Sequence, residues 1–144
     1  MKPITLLPKL LRVFLGAATV LCAATAGLAQ AGETQTLISG VKIVHTAVGT
    51  GPMPTPTDRV KVHYRGTLPD GTEFDSSYKE GNPAVFPLNK VIRCWTQALQ
   101  HMKVGGKATL SCPAEMAYGS KGAGDVVPPN AALTFEVELL GIEK

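Results

Sequence analysis

The sequence predicts an α+β domain: a curved antiparallel sheet of about five strands wrapped around one short amphipathic helix. Three observations carry that expectation. Several segments alternate apolar and polar residues at the two-residue period of a half-buried strand, and only one segment has helical spacing. Between them fall clusters of Gly, Pro, Asp and Asn, with 15 Gly and 11 Pro in 144 residues, too many breaks for long helices.

Taken in order, Leu37 to His45 reads as extended with a break at Gly40. Gly49 to Thr57 holds two Gly and three Pro, which neither a helix nor a central strand tolerates. From Val60 to Leu68 the chain alternates, with Val60, Val62 and Tyr64 on one face and Lys61, His63 and Arg65 on the other. Pro69-Asp70-Gly71 is a tight turn into a partner strand over Thr72 to Asp75. Gly81-Asn82-Pro83 breaks the chain before the extended run Val85 to Leu88. Trp95, Ala98, Leu99 and Met102 fall at i, i+3, i+4 and i+7, a helix expected to stop at Gly105-Gly106. Lys107 to Cys112 is another strand, and Tyr118 to Pro129 is a loop. A last strand sets Phe135, Val137 and Leu139 against Glu136 and Glu138.

The N-terminus has a different character. Met1 to Arg12 carries Lys2, Lys9 and Arg12 with no acid, Val13 to Leu28 is apolar or small, and Ala29-Gln30-Ala31 ends it. That is the layout of a secretory signal peptide, so residues 1–31 are read as a leader and 32–144 as one domain exported to the periplasm of a bacterium. The net charge of +3 then belongs to the leader, because residues 32–144 keep eleven Lys/Arg against eleven Asp/Glu. A neutral body without a basic run argues against nucleic acid, and against a membrane surface once the leader is cleaved.

Much chemistry is missing from the pattern. His45, His63 and His101 do not cluster, no spacing suggests a metal site, and each reads as an exposed or capping residue. There is no P-loop, dinucleotide fingerprint or G-x-S-x-G elbow. What remains is binding, or a reaction that needs no acid, base, nucleophile or cofactor.

Six blocks supply a positive signal. Val62-His63-Tyr64-Arg65-Gly66 and Leu68-Pro69-Asp70-Gly71-Thr72-Glu73-Phe74-Asp75-Ser76-Ser77 come first, then Val91-Ile92-Arg93-Cys94-Trp95. Ala117-Tyr118-Gly119, Val126-Val127-Pro128-Pro129-Asn130-Ala131 and Leu133-Thr134-Phe135-Glu136-Val137-Glu138-Leu139 follow. In this order and spacing the chain resembles the FKBP-type peptidyl-prolyl isomerases, and in particular the C-terminal domain of the macrophage infectivity potentiator group, from about Leu37 to its end. The resemblance implies rotation of X-Pro bonds in a pocket built from Tyr64, Phe74, Asp75, Phe86, Val91, Ile92, Trp95, Tyr118 and Phe135. Trp95 would be its floor, and Tyr64, Phe74 and Phe135 the walls of the end that receives a carbonyl. The Tyr118 hydroxyl and the Ile92 N–H would donate hydrogen bonds, and Val126 and Val127 would stand on a loop over the site. Read from position alone, Tyr64, Trp95 and Phe135 are core residues, as aromatics at these periods usually are.

The resemblance also implies partners: Pro-containing segments of unfolded or partly folded exported proteins, and macrolide inhibitors. A monomer is expected. Ala84 stands where the family often has an aromatic, Ala123 where a loop His is common, Glu80 for a basic residue and Cys94 for Gly, which bears on inhibitor affinity and substrate preference. Cys94 opens the helix and Cys112 ends the strand that returns beneath it, two cysteines in an oxidising compartment once Cys22 leaves with the leader. They are read as a candidate disulfide, with two separately buried thiols as the alternative.

Overall fold

The computed structural model describes residues 31–144, so residues 1–30, and with them the reading of a leader, lie outside the described residues. Seven strands form one antiparallel sheet: β1 Thr34–Thr36, β2 Lys42–Ala47, β3 Arg59–Thr67, β4 Glu73–Ser76, β5 Ala84–Pro87, β6 Lys107–Cys112 and β7 Leu133–Glu143. Their order is β1-β2-β6-β7-β3-β4, and β5 also pairs with β3. The family-like arrangement of a sheet with one helix is present, with two strands more than the expected five. The short edge strand β1 was not legible because Thr34, Gln35 and Thr36 are all polar or small and show no apolar alternation.

β3 is the axis of the sheet. One edge pairs with β7 along its whole length, from Arg59↔Glu143 to Thr67↔Thr134. The other edge is shared, with β5 on Arg59 to Val62 and β4 on Arg65 to Thr67. The chain between β4 and β5 leaves this edge and returns to it, and that excursion places Asp75 and Phe86 on either side of Tyr64.

Alternation sends one face inward. Val60, Val62 and Tyr64 of β3, Leu110 of β6, Ile43 of β2 and Phe135, Val137 and Leu139 of β7 are all buried. The one α-helix among the described residues, α1 Arg93–Leu99, closes that face with Cys94, Trp95, Ala98 and Leu99. It is shorter than its apolar spacing predicts. After Gln100 the chain tightens into i→i−3 bonds, His101 N–H to Ala98 O at 3.0 Å and Met102 N–H to Leu99 O at 3.2 Å, so Met102 is buried from outside the helix. An apolar residue at i+7 therefore marked the core and not the helix end. Among the described residues no helix is long and apolar enough to cross a membrane.

His45 departs from the exposed or capping role expected of it. It sits on the inward face of β2, 3% exposed, and its Nε2 has no hydrogen-bond partner. Burial lowers its pKa, Glu33 raises it and His101 lowers it, for a net fall below the ordinary histidine value.

Candidate functional site

At the N-terminal end of α1 the helix does not fully cover the sheet, and an aromatic cavity of about 470 Å³ opens there. Trp95 forms its base, 4% exposed. Three rings meet it edge to face: Tyr64 at 5.1 Å, Phe135 at 5.4 Å and Phe86 at 5.7 Å between centroids. The quadrupole of each ring favours this geometry, and a Trp held on three sides is a stiff floor. Its Nε1 is buried without a hydrogen-bond partner.

The walls follow from the strand register. Phe135 pairs with Gly66 across β3 and β7, and Phe74 stacks edge to face on Phe135 at 5.7 Å. A Cβ on Gly66 would lie 2.6 Å from Phe74 Cζ and 2.9 Å from Phe135 Cε1, so the missing side chain is what lets both rings lie there. Phe74 thus backs Phe135 from outside the cavity, while Tyr64, Phe86 and Phe135 face into it.

Polar groups are few and placed at the rim. Tyr64 Oη donates to Asp75 Oδ2 at 2.7 Å, and Asp75 Oδ1 accepts the Ser76 N–H at 2.9 Å. Ser77 fixes the other end of Tyr64, its Oγ accepting the Tyr64 N–H at 2.9 Å and lying 3.0 Å from His63 Nδ1. Burial, with the Asp75 hydrogen bond next, pushes the Tyr64 pKa well above the ordinary tyrosine value. Burial and then the charge of Asp75 raise that of Tyr118 as well, so both hydroxyls keep their protons at neutral pH. Tyr118, 40% exposed, reaches the cavity from the loop after β6. Val91 and Ile92 complete it at the helix entrance, where the Ile92 N–H makes no hydrogen bond among the described residues.

Eight of the residues named from sequence therefore converge on one cavity: Tyr64, Asp75, Phe86, Val91, Ile92, Trp95, Tyr118 and Phe135. Val126 and Val127 are placed differently from the expectation. Val127 bridges Ala123 through backbone hydrogen bonds, which turns its side chain into the core at 1% exposure. Val126 points outward at 55% exposure, and neither borders the cavity. Lys90, which does border it, was missed because a lysine among loop residues carries no periodic signal.

Beneath the floor, Cys94 and Cys112 are joined as a disulfide with Cα atoms 5.7 Å apart. It ties the first turn of α1 to the end of β6, beside Trp95.

The fold and this site together define a single-helix, antiparallel-sheet domain with an aromatic, concave binding cavity. A family model for FKBP-type peptidyl-prolyl cis-trans isomerases matches residues 51–140, and the chain belongs to that family. It is 55% identical over 106 residues to the FKBP-type peptidyl-prolyl cis-trans isomerase FkpA of Aeromonas hydrophila, covering 74% of this chain and 39% of that protein. It is 53% identical over 104 residues to the FKBP-type 22 kDa isomerase of Escherichia coli, covering 72% and 50%. The chain thus spans half the length, or less, of these relatives. The crystal structure of a peptidyl-prolyl cis-trans isomerase from Pseudomonas syringae pv. tomato superposes with a TM-score of 0.73 at 42% identity, over 81% of this chain and 84% of that one.

Proposed function

We propose that this chain catalyses cis/trans rotation of X-Pro bonds in the aromatic cavity, acting on Pro-containing segments of exported proteins. The observation that carries the reading is the union of a rigid aromatic floor with two donors at its rim, Tyr118 Oη and the Ile92 N–H, beside a Tyr64 hydroxyl held by Asp75. Rotation faces a barrier of about 18–20 kcal/mol from amide resonance, and no bond is made or broken. The twisted amide has lost resonance, so its carbonyl oxygen carries less charge than in the planar form. Water stabilises the planar form by hydrogen bonding, and an apolar cavity withholds that stabilisation. A wall shaped to the twisted amide supplies the rest, because only interactions stronger in the transition state raise the rate.

In this reading the proline ring lies on Trp95, and the carbonyl before it turns toward Tyr64 and Phe135. Asp75 acts through Tyr64, holding its hydroxyl in place. Tyr118 and the Ile92 N–H bind the chain at its other end. Phe74 supports Phe135, and Val91 and Phe86 close the sides. Residues 1–31 serve as the export signal and 32–144 as the isomerase, working as a monomer in the periplasm, where an uncatalysed step of about 10–100 s makes such a catalyst useful. The open Ala84 rim accommodates macrolides less tightly than an aromatic would. Isomerisation of Xaa-Pro peptides tests the reading: this chain should raise the exchange rate well above background, and a rate equal to background overturns it.

A further inference from the structure

The charges around the cavity are divided by side. On the β4 side stand Asp75 and Glu80, the latter close enough for its charge to bear on the Tyr64 hydroxyl. On the helix side stand Lys90, which borders the cavity, and Arg93, the first residue of α1, both exposed. Asp75 is engaged by Tyr64 Oη and the Ser76 N–H. Lys90 and Arg93 are not engaged: the ion pairs among the described residues are Arg65–Glu73, Lys79–Glu73 and Lys107–Glu138.

The base under Lys90 is rigid although its side chain is free. Lys90 closes the 3₁₀ turn Leu88–Lys90, in which Leu88 is wholly buried. The Leu88 N–H donates to Asp58 O at 2.9 Å, and Thr96 Oγ1 donates to Leu88 O at 2.7 Å. A cation is therefore anchored two residues before the free Ile92 N–H.

We propose that Lys90, seconded by Arg93, is a specificity-determining residue that favours substrates with a carboxylate immediately after the proline. The inference rests on the isomerase reading above. With the carbonyl before proline at Tyr64 and Phe135 and the ring on Trp95, the Ile92 N–H faces the carbonyl of the proline itself. The chain then leaves the cavity past Lys90. A Glu at the next position meets an unpaired ammonium, whereas a Lys there meets like charge. An exposed pair of this kind changes binding by about two- to fivefold, and it is screened by salt. The effect belongs in KM, because the ammonium lies away from the rotating bond and attracts ground state and transition state alike.

The test compares peptides with Glu or Lys directly after proline, by exchange NMR, which needs no protease to read the isomer. Wild type at low ionic strength should show a Glu-to-Lys ratio of kcat/KM of about two- to fivefold, falling toward one at 0.5 M salt. Lys90→Glu should invert the ratio, Lys90→Met should bring it near one, and Arg93→Glu should reduce it by less. Each ratio is taken within one variant, so a general loss of activity does not mimic the effect. A ratio unaltered in Lys90→Glu and Lys90→Met overturns the inference while leaving the isomerase reading intact. Wild type that accelerates neither peptide overturns the isomerase reading instead, and the inference with it.

Discussion

Two clefts of nearly equal size lie at opposite ends of α1. The cavity at its N-terminal end measures about 470 Å³, and a second cleft between residues 100–103, β2 and the Gly49–Met53 loop measures about 420 Å³. Size does not separate them, but their materials do. The first is walled by rings that brace one another edge to face, and Asp75 holds its Tyr64 hydroxyl in place. The second is bordered by Met53, Met102, His45, His101 and glycine backbone, with a loose side-chain contact across it, Gln35 Nε2 to His101 Nδ1 at 3.3 Å. Thioether chains have three rotatable bonds and adapt to whatever they meet. Catalysis of a bond rotation needs a surface that fits one geometry and resists another, and adaptable walls fit both. The disulfide sharpens the contrast, since it fastens only the N-terminal end of the helix.

The comparison breaks most visibly in the cores of the two clefts. Trp95→Ala should cost about 3–5 kcal/mol and abolish isomerisation, while Met102→Ala should cost about 2–5 kcal/mol yet leave kcat/KM of the folded protein unaltered. Denaturant unfolding paired with the peptide assay reads both. Equal losses of kcat/KM would mean the two ends are not independent.

Next comes the Cys94–Cys112 bond. Closing a loop of 18 residues stabilises by about 3 kcal/mol in the chain-entropy model. Reduction should therefore lower Tm by about 10 °C or more. Trp95 emission should shift at temperatures where the fold persists, because the tether adjoins the floor. A Tm indifferent to reductant removes the disulfide from the account of rigidity.

Smaller effects are expected at the rim. Tyr118→Phe should lower kcat/KM by about 2- to 10-fold, the worth of one neutral hydrogen bond, and Asp75→Ala by more because the bond it takes from Tyr64 ends on a carboxylate. Circular dichroism should find both folded. Rates equal to wild type would remove these groups from the mechanism.

The smallest effect is a pair of titrations with opposite sign. The raised Tyr64 and Tyr118 pKa values mean that above about pH 10 the unfolded chain loses protons the folded chain retains, so stability falls as pH rises there. The lowered His45 pKa means that near and below pH 6.5 the unfolded chain binds a proton the folded chain refuses, so stability falls as pH drops. Unfolding measured from pH 5 to 11 should show both limbs. His45→Gln should flatten the acid limb alone, and a persisting limb would place its origin elsewhere.

Sequence by itself determined the sheet's inward face, the presence of one helix and most of the cavity. Alternation in Val60, Val62 and Tyr64 and in Phe135, Val137 and Leu139 is a local consequence of a two-residue period, and needs no knowledge of partners. It could not say whether those aromatics were core or cavity, because burial in a strand pattern reports the face and not what covers it. That was decided by where α1 begins: it starts only at Arg93, and the rings that meet Trp95 border a cavity at that end. Tertiary structure alone also paired Tyr64 with Asp75, eleven residues apart on neighbouring strands, and turned Val127 inward through its bridge to Ala123. It buried His45, a polar residue on the inward face of β2. It brought Lys90 to the rim, where its charge borders a cavity made by residues up to 45 positions away along the chain. Period and residue type act over a few residues; which side chains meet depends on strand order and register, and those follow from the packing of the whole domain.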